Sequence, residues 1–320
     1  MAQNALSHHY TTVNGVKLHY VRQGVGDPLF LIHGWPGFWY EWRLNIGPLA
    51  QHFDVIVPDM RGYAYSDKPD LPPVQGYSDT MFAEDLKAFI DFYHLDKVRI
   101  VSHDFGAIWM QKFARLYPER VHKLMLFDPP YPGIGARWFQ LPHSLHTWYQ
   151  LFHQLPLAEE LVGSSPQATE IYLRHFLSAW SHDKDLWTDE EIAAYVEAYS
   201  QPGALRGGFN CYRAALGGGA FTQGGTPKVT VPTRVLWGTS DSIIPFEWSD
   251  NLGDTFENFD LRAILGVGGH LPLEPVAPAV RHRVGGFDLD DAGALPMPPP
   301  PGRRMQAPVI LGPEIRHMGR

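Results

Sequence analysis

The sequence has little cysteine, no long apolar run and no excess of positive charge. Its single cysteine, Cys211, excludes a disulfide framework within the 320 residues and any cysteine-rich metal site. No apolar stretch approaches the ~20 residues of a membrane span, and the N-terminal residues lack the basic and apolar segments of a signal peptide. There are 26 Lys and Arg against 34 Asp and Glu, a net charge of −8, without a basic run. Nucleic acid and membranes are therefore not expected as partners, and a cytoplasmic location is expected.

Several catalytic signatures are also absent. There is no H-E-x-x-H or other spacing of metal ligands, so no metal is expected. There is no G-x-G-x-x-G or P-loop, so no nucleotide cofactor is expected either. The chain contains no G-x-S-x-G, which disfavours a serine esterase. Among enzymes, the remaining candidates are those that need only side chains and water.

Strand and helix patterns alternate over the first part of the chain. Asn14-Gly15 between β-forming segments predicts a hairpin. Short apolar runs without alternation predict buried strands at 28–32, 53–57, 98–101 and 121–127, and apolar spacing predicts helices after Ser78 and over 105–117. Buried strands that alternate with helices predict a mostly parallel sheet covered on both faces.

This alternation is interrupted after Pro129-Pro130. Residues 131–215 show no strand pattern but helical spacings, at 145–161 and 171–180, before strands resume at 234–237 and 261–265. We expect four parts: a first part of the core at 1–130, a helical lid at 131–225, a second part of the core at 226–285, and an irregular Pro/Gly-rich tail at 286–320 with no assigned chemistry.

The segment Ser102-His103-Asp104-Phe105-Gly106 lies between a predicted strand and a predicted helix. Small residues two positions before and after the centre are what a strained nucleophile elbow requires. The centre here is Asp104 instead of serine. Alone, the motif fits equally well a tight turn whose Asp caps a helix, and His103 is expected to pack or to hydrogen-bond within the turn.

Three further motifs follow predicted strands. Two of them come after Asp104 and give the order nucleophile, acid and histidine, which is typical of such sites. His33-Gly34-Trp35-Pro36-Gly37 can supply the Trp35 N–H to an oxyanion hole, with the Phe105 N–H as the second donor. Asp241 follows the penultimate strand, and His270 ends the GVGGH loop after the last one. Asp128, after the sixth strand, is the alternative acid, and we favour Asp241.

With these motifs and the RGYAYSDKP segment, the chain resembles the α/β-hydrolase superfamily over about residues 10–280. The resemblance implies a mostly parallel eight-stranded sheet with helices on both faces and a helical lid. The aspartate elbow is similar to that of epoxide hydrolases and the related haloalkane and haloacetate dehalogenases.

Two lid motifs favour the epoxide hydrolases. Trp148-Tyr149-Gln150-Leu151 and Asn210-Cys211-Tyr212-Arg213 resemble the segments whose tyrosines face the nucleophile in that family. Haloacetate dehalogenases carry arginines where this chain has Phe105 and Ile108, which would leave an anionic substrate unpaired. The alternative for Tyr149 and Tyr212 is that both are ordinary core aromatics.

The resemblance implies a small apolar or aromatic epoxide and water as partners. Asp104 would form an ester with the substrate, and His270 would activate the water that hydrolyses it. Expected pocket residues are Trp35, Trp148, Phe152, Trp180 and His33. His33 begins the oxyanion loop and is also expected to support it structurally. The alternatives are a C–halogen hydrolase with the same nucleophile and a non-catalytic ligand-binding protein. The oligomeric state is left open, a homodimer being one alternative.

Overall fold

The computed structural model of the protein describes residues 6–218, 226–264 and 270. The chain begins with a hairpin of β1 (Ser7–Val13) and β2 (Val16–Gln23). Asn14 and Gly15 between them have φ of 47° and 74°. Both values lie in the left-handed region, as a type I′ turn requires, which confirms the predicted hairpin.

An eight-stranded sheet forms the centre of the fold, in the order β1-β2-β4-β3-β5-β6-β7-β8. Strands β1 and β2 pair antiparallel with each other, as do β2 and β4, and the remaining pairs are parallel. The predicted mostly parallel sheet is confirmed. The other strands are β3 (Asp27–Ile32), β4 (Phe53–Pro58), β5 (Val98–His103), β6 (Val121–Phe127), β7 (Thr233–Gly238) and β8 (Phe259–Ile264).

Helices cover both faces of this sheet. In β3, Phe30 and Ile32 join one apolar cluster, while Leu29 and Leu31 join another on the opposite face. Helices α3 and α4 pack in the first cluster and α1 in the second, as expected for a buried parallel sheet. Ser78 caps α3 by accepting a hydrogen bond from the Met81 N–H. The helices of this part are α1 (Arg43–Leu49), α2 (Pro73–Gly76), α3 (Asp79–Phe92), α4 (Phe105–Leu116) and α11 (Leu252–Thr255), with 3₁₀ helices at Trp39–Trp42, Pro118–Arg120 and Phe246–Asn251.

Between β6 and β7, the described residues 132–218 form helices and no strand. The helical spacing at 145–161 does not produce one helix. The Leu155 backbone is extended because it precedes Pro156, which begins the next helix. The elements are a 3₁₀ segment at Pro132–Phe139, α5 (Leu141–Ser144), α6 (Trp148–Phe152), α7 (Pro156–Val162), α8 (Pro166–Trp180), α9 (Asp189–Tyr199) and α10 (Ala204–Gly218).

Some expectations remain untested by these elements. The division at 130, 225 and 285 stays a prediction, and residues 219–225 and the 286–320 tail lie outside the described residues.

In the described part of the chain, no helix is long and apolar enough to cross a membrane. The cytoplasmic location stays a prediction.

The parallel strands end at one edge of the sheet, and the predicted catalytic residues follow the strands at that edge. The loop after β3 carries Trp35, the turn after β5 carries Asp104, and Asp128 follows β6 directly. Asp241 lies three residues after β7, and His270 lies beyond β8. Because parallel strands place their carboxyl ends side by side, residues far apart in sequence meet at this edge.

Candidate active site

Asp104 occupies a strained turn between β5 and α4. Its backbone has φ 51° and ψ −121°, a conformation that costs a non-glycine residue about 1–3 kcal/mol. The turn is also crowded, since a Cβ on Gly34 would lie 2.5 Å from the Asp104 Oδ1 and one on Gly106 would lie 2.6 Å from the His33 carbonyl oxygen. The carboxylate does not cap α4. The helix-cap alternative is therefore not what the structure shows.

The two oxygens of the Asp104 carboxylate have different surroundings. Oδ1 accepts a hydrogen bond of 2.9 Å from the Trp35 N–H. Oδ2 lies 3.3 Å from the His270 Nε2. The Phe105 N–H begins α4, where a helix offers it no internal acceptor. The backbone therefore holds one oxygen, while the other faces the histidine.

His270 lies between two buried carboxylates. Its Nδ1 is 3.0 Å from the Asp241 Oδ2, and the other oxygen of Asp241 accepts bonds from the Ile243 and Ile244 N–H groups at 2.7 and 2.9 Å. Burial opposes a charged imidazole, but the charge of Asp241 and the contact with Asp104 raise the pKa of His270 well above its usual value. Burial likewise opposes ionisation of Asp104. The hydrogen bond and the positive charge of His270 outweigh this effect of burial and lower the pKa of Asp104.

Asp128 lies close by but holds a different position. It has φ 42°, and its Oδ1 accepts a 2.7 Å hydrogen bond from the Gly238 N–H. Its Oδ2 has no hydrogen-bond partner among the described residues. Burial, and then repulsion from Asp241, raise the pKa of Asp128 well above its usual value. The structure thus places Asp241 against His270, while Asp128 bonds to the backbone at the end of β7, where its raised pKa favours the neutral form.

The two lid tyrosines reach the same site from different helices. Tyr149 on α6 and Tyr212 on α10 are both buried, with perpendicular rings 5.6 Å apart. Tyr149 stacks on Trp35 at 5.9 Å, and the Tyr212 ring meets the Phe105 ring at 4.7 Å. Burial raises the pKa of each phenol, and the Asp104 charge raises it further. Both hydroxyls therefore keep their protons at neutral pH.

The expected pocket residues separate into two groups. The Trp180 ring lies 5.1 Å from the His270 ring and 5.6 Å from the Trp35 ring, inside the site. Trp148 is 42% exposed, and its ring contacts Phe152 at 6.0 Å on the outer side of α6. The structure does not bring Trp148 to the carboxylates, so its placement does not support substrate contact.

His33 supports the loop that follows β3. Its Nδ1 lies 2.8 Å from the Gly34 carbonyl oxygen, and its Nε2 accepts the Met60 N–H at 3.0 Å. Both ring nitrogens are engaged by backbone groups. This leaves the ring no hydrogen-bonding atom for a substrate, and the contacts agree with the expected role of His33 as support for the loop.

Glu41 is a buried acid that the sequence motifs do not reveal. Its Oε1 lies 2.9 Å from the His103 Nδ1, and the His103 Nε2 donates to the His270 carbonyl oxygen at 2.8 Å. Burial lowers the pKa of His103, but the Glu41 carboxylate outweighs it, so that the pKa is raised. His103 therefore links the elbow to the His270 loop instead of bonding within its own turn. The sequence signal that could have identified Glu41 is its position as an acidic residue inside the aromatic run FWYEW.

The described residues contain no group of three or more His, Cys, Asp or Glu side chains that could hold a metal ion. The carboxylates and histidines of the site are paired with one another and with backbone groups. The expectation that no cofactor is needed stays a prediction.

The family model of the α/β hydrolase fold matches residues 27–274. The chain belongs to this family, and its relatives place it among the epoxide hydrolases. A soluble epoxide hydrolase of Corynebacterium sp. (strain C12) is 32% identical over 84% of this chain and 93% of that protein. Epoxide hydrolase 4 of Mus musculus is 30% identical over 80% of this chain and 72% of that protein. The solved structure of epoxide hydrolase CorEH without ligand is 30% identical, with a TM-score of 0.78 over 88% of this chain and 98% of that one.

Proposed function

We propose that this chain opens an epoxide to a vicinal diol through an ester intermediate on Asp104. The observation that carries the proposal is the strained, buried Asp104, with one oxygen on a backbone N–H and the other facing His270. The buried tyrosine pair and the epoxide hydrolase relatives select epoxides among the substrates that such a carboxylate could attack. The protein is thus a hydrolase of ether bonds.

In the first step, the Asp104 Oδ2 attacks an epoxide carbon and the C–O bond of the ring breaks. The lowered pKa of Asp104 keeps it ionised, so no base has to activate it. The electron pair of the broken bond passes to the epoxide oxygen, which takes a proton from Tyr149 or Tyr212 as it opens. Acid assistance of this type accelerates reactions by about 10²–10⁴-fold.

In the second step, His270 removes a proton from water and the resulting hydroxide attacks the ester carbonyl carbon. Negative charge develops on Oδ1, which already lies on the Trp35 N–H, and the Phe105 N–H is the second donor. The tetrahedral intermediate then collapses as its bond to the substrate oxygen breaks, and that oxygen takes the proton which His270 removed from water. The other proton of that water, now on the Asp104 carboxyl group, returns to the tyrosine that lost its proton in the first step. The diol leaves, and the Asp104 carboxylate, His270 and both phenols are restored.

Formation of the ester lowers the pKa of His270 before the second step, in which His270 acts as a base. In the free enzyme, Asp104 and Asp241 both favour the charged imidazole. Esterification removes the charge of Asp104, so the pKa of His270 falls and the ring can act as a base. Asp241 is the acid that orients it, which the contact of 3.0 Å supports. Asp128, whose pKa is raised by burial and by the repulsion of Asp241, has a structural role at the end of β7.

The proposed substrate is a small epoxide with apolar or aromatic substituents. Aromatic rings lie next to the catalytic groups: the Trp35 N–H donates to Asp104, the Trp180 ring is 5.1 Å from His270, and the Phe176 ring is 5.1 Å from Trp35. Burial of apolar substituents against such rings contributes about 25 cal/mol per Å². A C–halogen hydrolase is the second candidate because it uses the same carboxylate. The two hydroxyl donors favour the epoxide, since its oxygen needs a proton on leaving.

A trapped intermediate tests this proposal. His270→Gln should still permit attack by Asp104 but block hydrolysis, so the protein should gain the mass of one epoxide on the peptide that carries Asp104. The matched control, His270→Gln with Asp104→Ala, should show no such adduct. A small aromatic epoxide and a bromoalkane of the same skeleton are compared, with diol and bromide measured in the parent protein. Bromide release without diol formation would contradict the proposal and support a C–halogen hydrolase instead.

Adduct formation in the His270→Gln variant also tests the role of the two tyrosines. Adding Tyr149→Phe or Tyr212→Phe to His270→Gln should slow adduct formation by about 10- to 1000-fold, the range for one lost transition-state donor. The double Phe variant should form almost no adduct, because the epoxide oxygen would then leave without a donor. Unchanged adduct formation in the double variant would remove the tyrosines from the mechanism.

A further inference from the structure

The outer face of α5 and α6 exposes large apolar side chains. Residues 139–157 contain no Asp, Glu, Lys or Arg. Their exposed positions include four leucines and a tryptophan, each between 42% and 76% exposed: Leu141, Leu145, Trp148, Leu151 and Leu155. Soluble monomers rarely expose a contiguous apolar patch of this kind without a function.

These side chains lie on one side of the chain because they recur every three or four residues. Helical turns continue between the short helices, since the Thr147 N–H donates to the His143 carbonyl and the His153 N–H to the Tyr149 carbonyl. Tyr149 and Gln150 point to the opposite, buried side. On α8, Ile171 extends the patch, because it lies one turn before His175, whose ring is 6.2 Å from the Trp148 ring.

We define these six residues, Leu141, Leu145, Trp148, Leu151, Leu155 and Ile171, as the apolar lid face. We propose that the apolar lid face contacts the same face of a second copy of this chain, forming a homodimer around a two-fold axis. Such a contact joins identical patches and closes on itself.

Charge favours a second copy over a lipid surface. Two chains of net charge −8 repel each other, and this repulsion is weakest where they meet through a face without charged side chains, as residues 139–157 provide. Helices that lie on membranes usually flank their apolar face with free Lys and Arg. Here Arg137 is paired with Asp250, and Arg174 with Glu170 and Asp189.

The area of the apolar lid face also fits a dimer. At their fractional exposures, the six residues present roughly 700 Å² of mostly apolar surface, close to the ~800 Å² per partner of a standard interface. Trp148 lies near the middle of the stripe, and tryptophan is enriched among the residues that dominate binding energy. The contact would cover the outer side of α6, whose inner side carries Tyr149.

Sedimentation velocity on the full-length chain tests the proposal over a wide dilution series. The parent protein should be a dimer that dissociates only on dilution. Leu145→Glu with Leu151→Glu should weaken association by about a hundredfold or more, because each copy would bury two unpaired charges. The control, Val25→Glu with Leu71→Glu, adds the same charge at exposed positions outside the face and should leave association unchanged.

Hydrogen exchange locates the contact in the parent protein, independently of how the variants fold. Backbone amides over 141–155 should exchange more slowly at dimeric than at monomeric concentrations. A parent protein that is monomeric throughout would overturn the proposal, as would a dimer without protection at 141–155. Binding of the parent protein to neutral lipid vesicles, lost in the Leu145→Glu, Leu151→Glu variant, would assign the face to a membrane instead. None of these measurements depends on the proposed activity.

Discussion

At the scale of single residues, Asp128 and Asp241 show how neighbours decide the function of a carboxyl group. Both are fully enclosed at the same sheet edge, and both follow strands. Asp241 contacts His270 and two backbone N–H groups, so its charge is compensated. Asp128 has one backbone donor, the Gly238 N–H, which favours its ionised form, but burial and then the repulsion of Asp241 outweigh this contact and raise its pKa. The two acids should therefore respond differently to the same substitution.

We expect Asp241→Asn to slow ester hydrolysis by about a hundredfold or more, because His270 loses the charge that supports its imidazolium. Asp128→Asn should keep near-normal turnover, since an amide oxygen can still accept the Gly238 N–H. Single-turnover kinetics of the two variants make the comparison. A larger loss in Asp128→Asn would move the orienting role to Asp128.

The same Asp128→Asn variant should alter stability in a pH-dependent way. A folded-state pKa above the unfolded value of ~3.9 means that the parent protein loses stability as pH rises from about 4 toward the folded pKa. The Asn variant lacks this titration, so its stability relative to the parent should increase over that pH range. Urea unfolding at several pH values measures the difference, and a pH-independent difference would contradict the assignment.

At the scale of elements, α10 is placed by a close backbone approach. A Cβ on Gly207 would lie 2.6 Å from the Gly62 Cα, in the loop after β4. Neither partner has a side chain that could move aside, so only glycine allows this approach. Tyr212 follows five residues later on the same helix, so the position of its hydroxyl depends on this contact.

Gly207→Ala should therefore destabilise the protein by about 1–3 kcal/mol, as overpacking typically does. It should also slow ester formation by displacing Tyr212. Gly217→Ala, in the same helix, is the control, because its Cβ would meet only the Val74 side chain at 3.2 Å and alanine favours a helix. Thermal unfolding and the adduct assay measure both variants. Equal behaviour of the two would mean that the Gly62 contact does not position α10.

At the scale of the whole molecule, the active site joins segments from the entire described chain. His103 bonds to the His270 carbonyl across 167 residues, and to Glu41 across 62. These groups share a buried network in which each charge affects its neighbours. The two chemical steps should consequently depend on pH in different ways.

Ester formation requires an ionised Asp104, whose pKa is lowered, and protonated tyrosines, whose pKa values are raised. It should persist to low pH. Hydrolysis requires a neutral His270, so it should decline as pH falls through the pKa that His270 has in the ester. Rapid-quench mass spectrometry from about pH 5 to pH 9 should therefore show the ester accumulating at the acidic end. Parallel decline of both steps would show that one group controls them together.

The sequence alone determined the strands of the sheet, the Asn14-Gly15 turn and the elbow at Asp104, because these features depend on neighbours within a few residues. Helices α1, α2 and α11 are not among the predicted elements. It missed the breaks within 145–161, where the local effect of Pro156 overrides apolar spacing. Only the tertiary structure decided that Asp241 and not Asp128 lies against His270, across 29 residues. It also revealed the Glu41–His103 pair and placed Trp148 on the outer side of α6. These outcomes depend on which chain segments meet at the sheet edge, and on the burial and charge that each meeting creates.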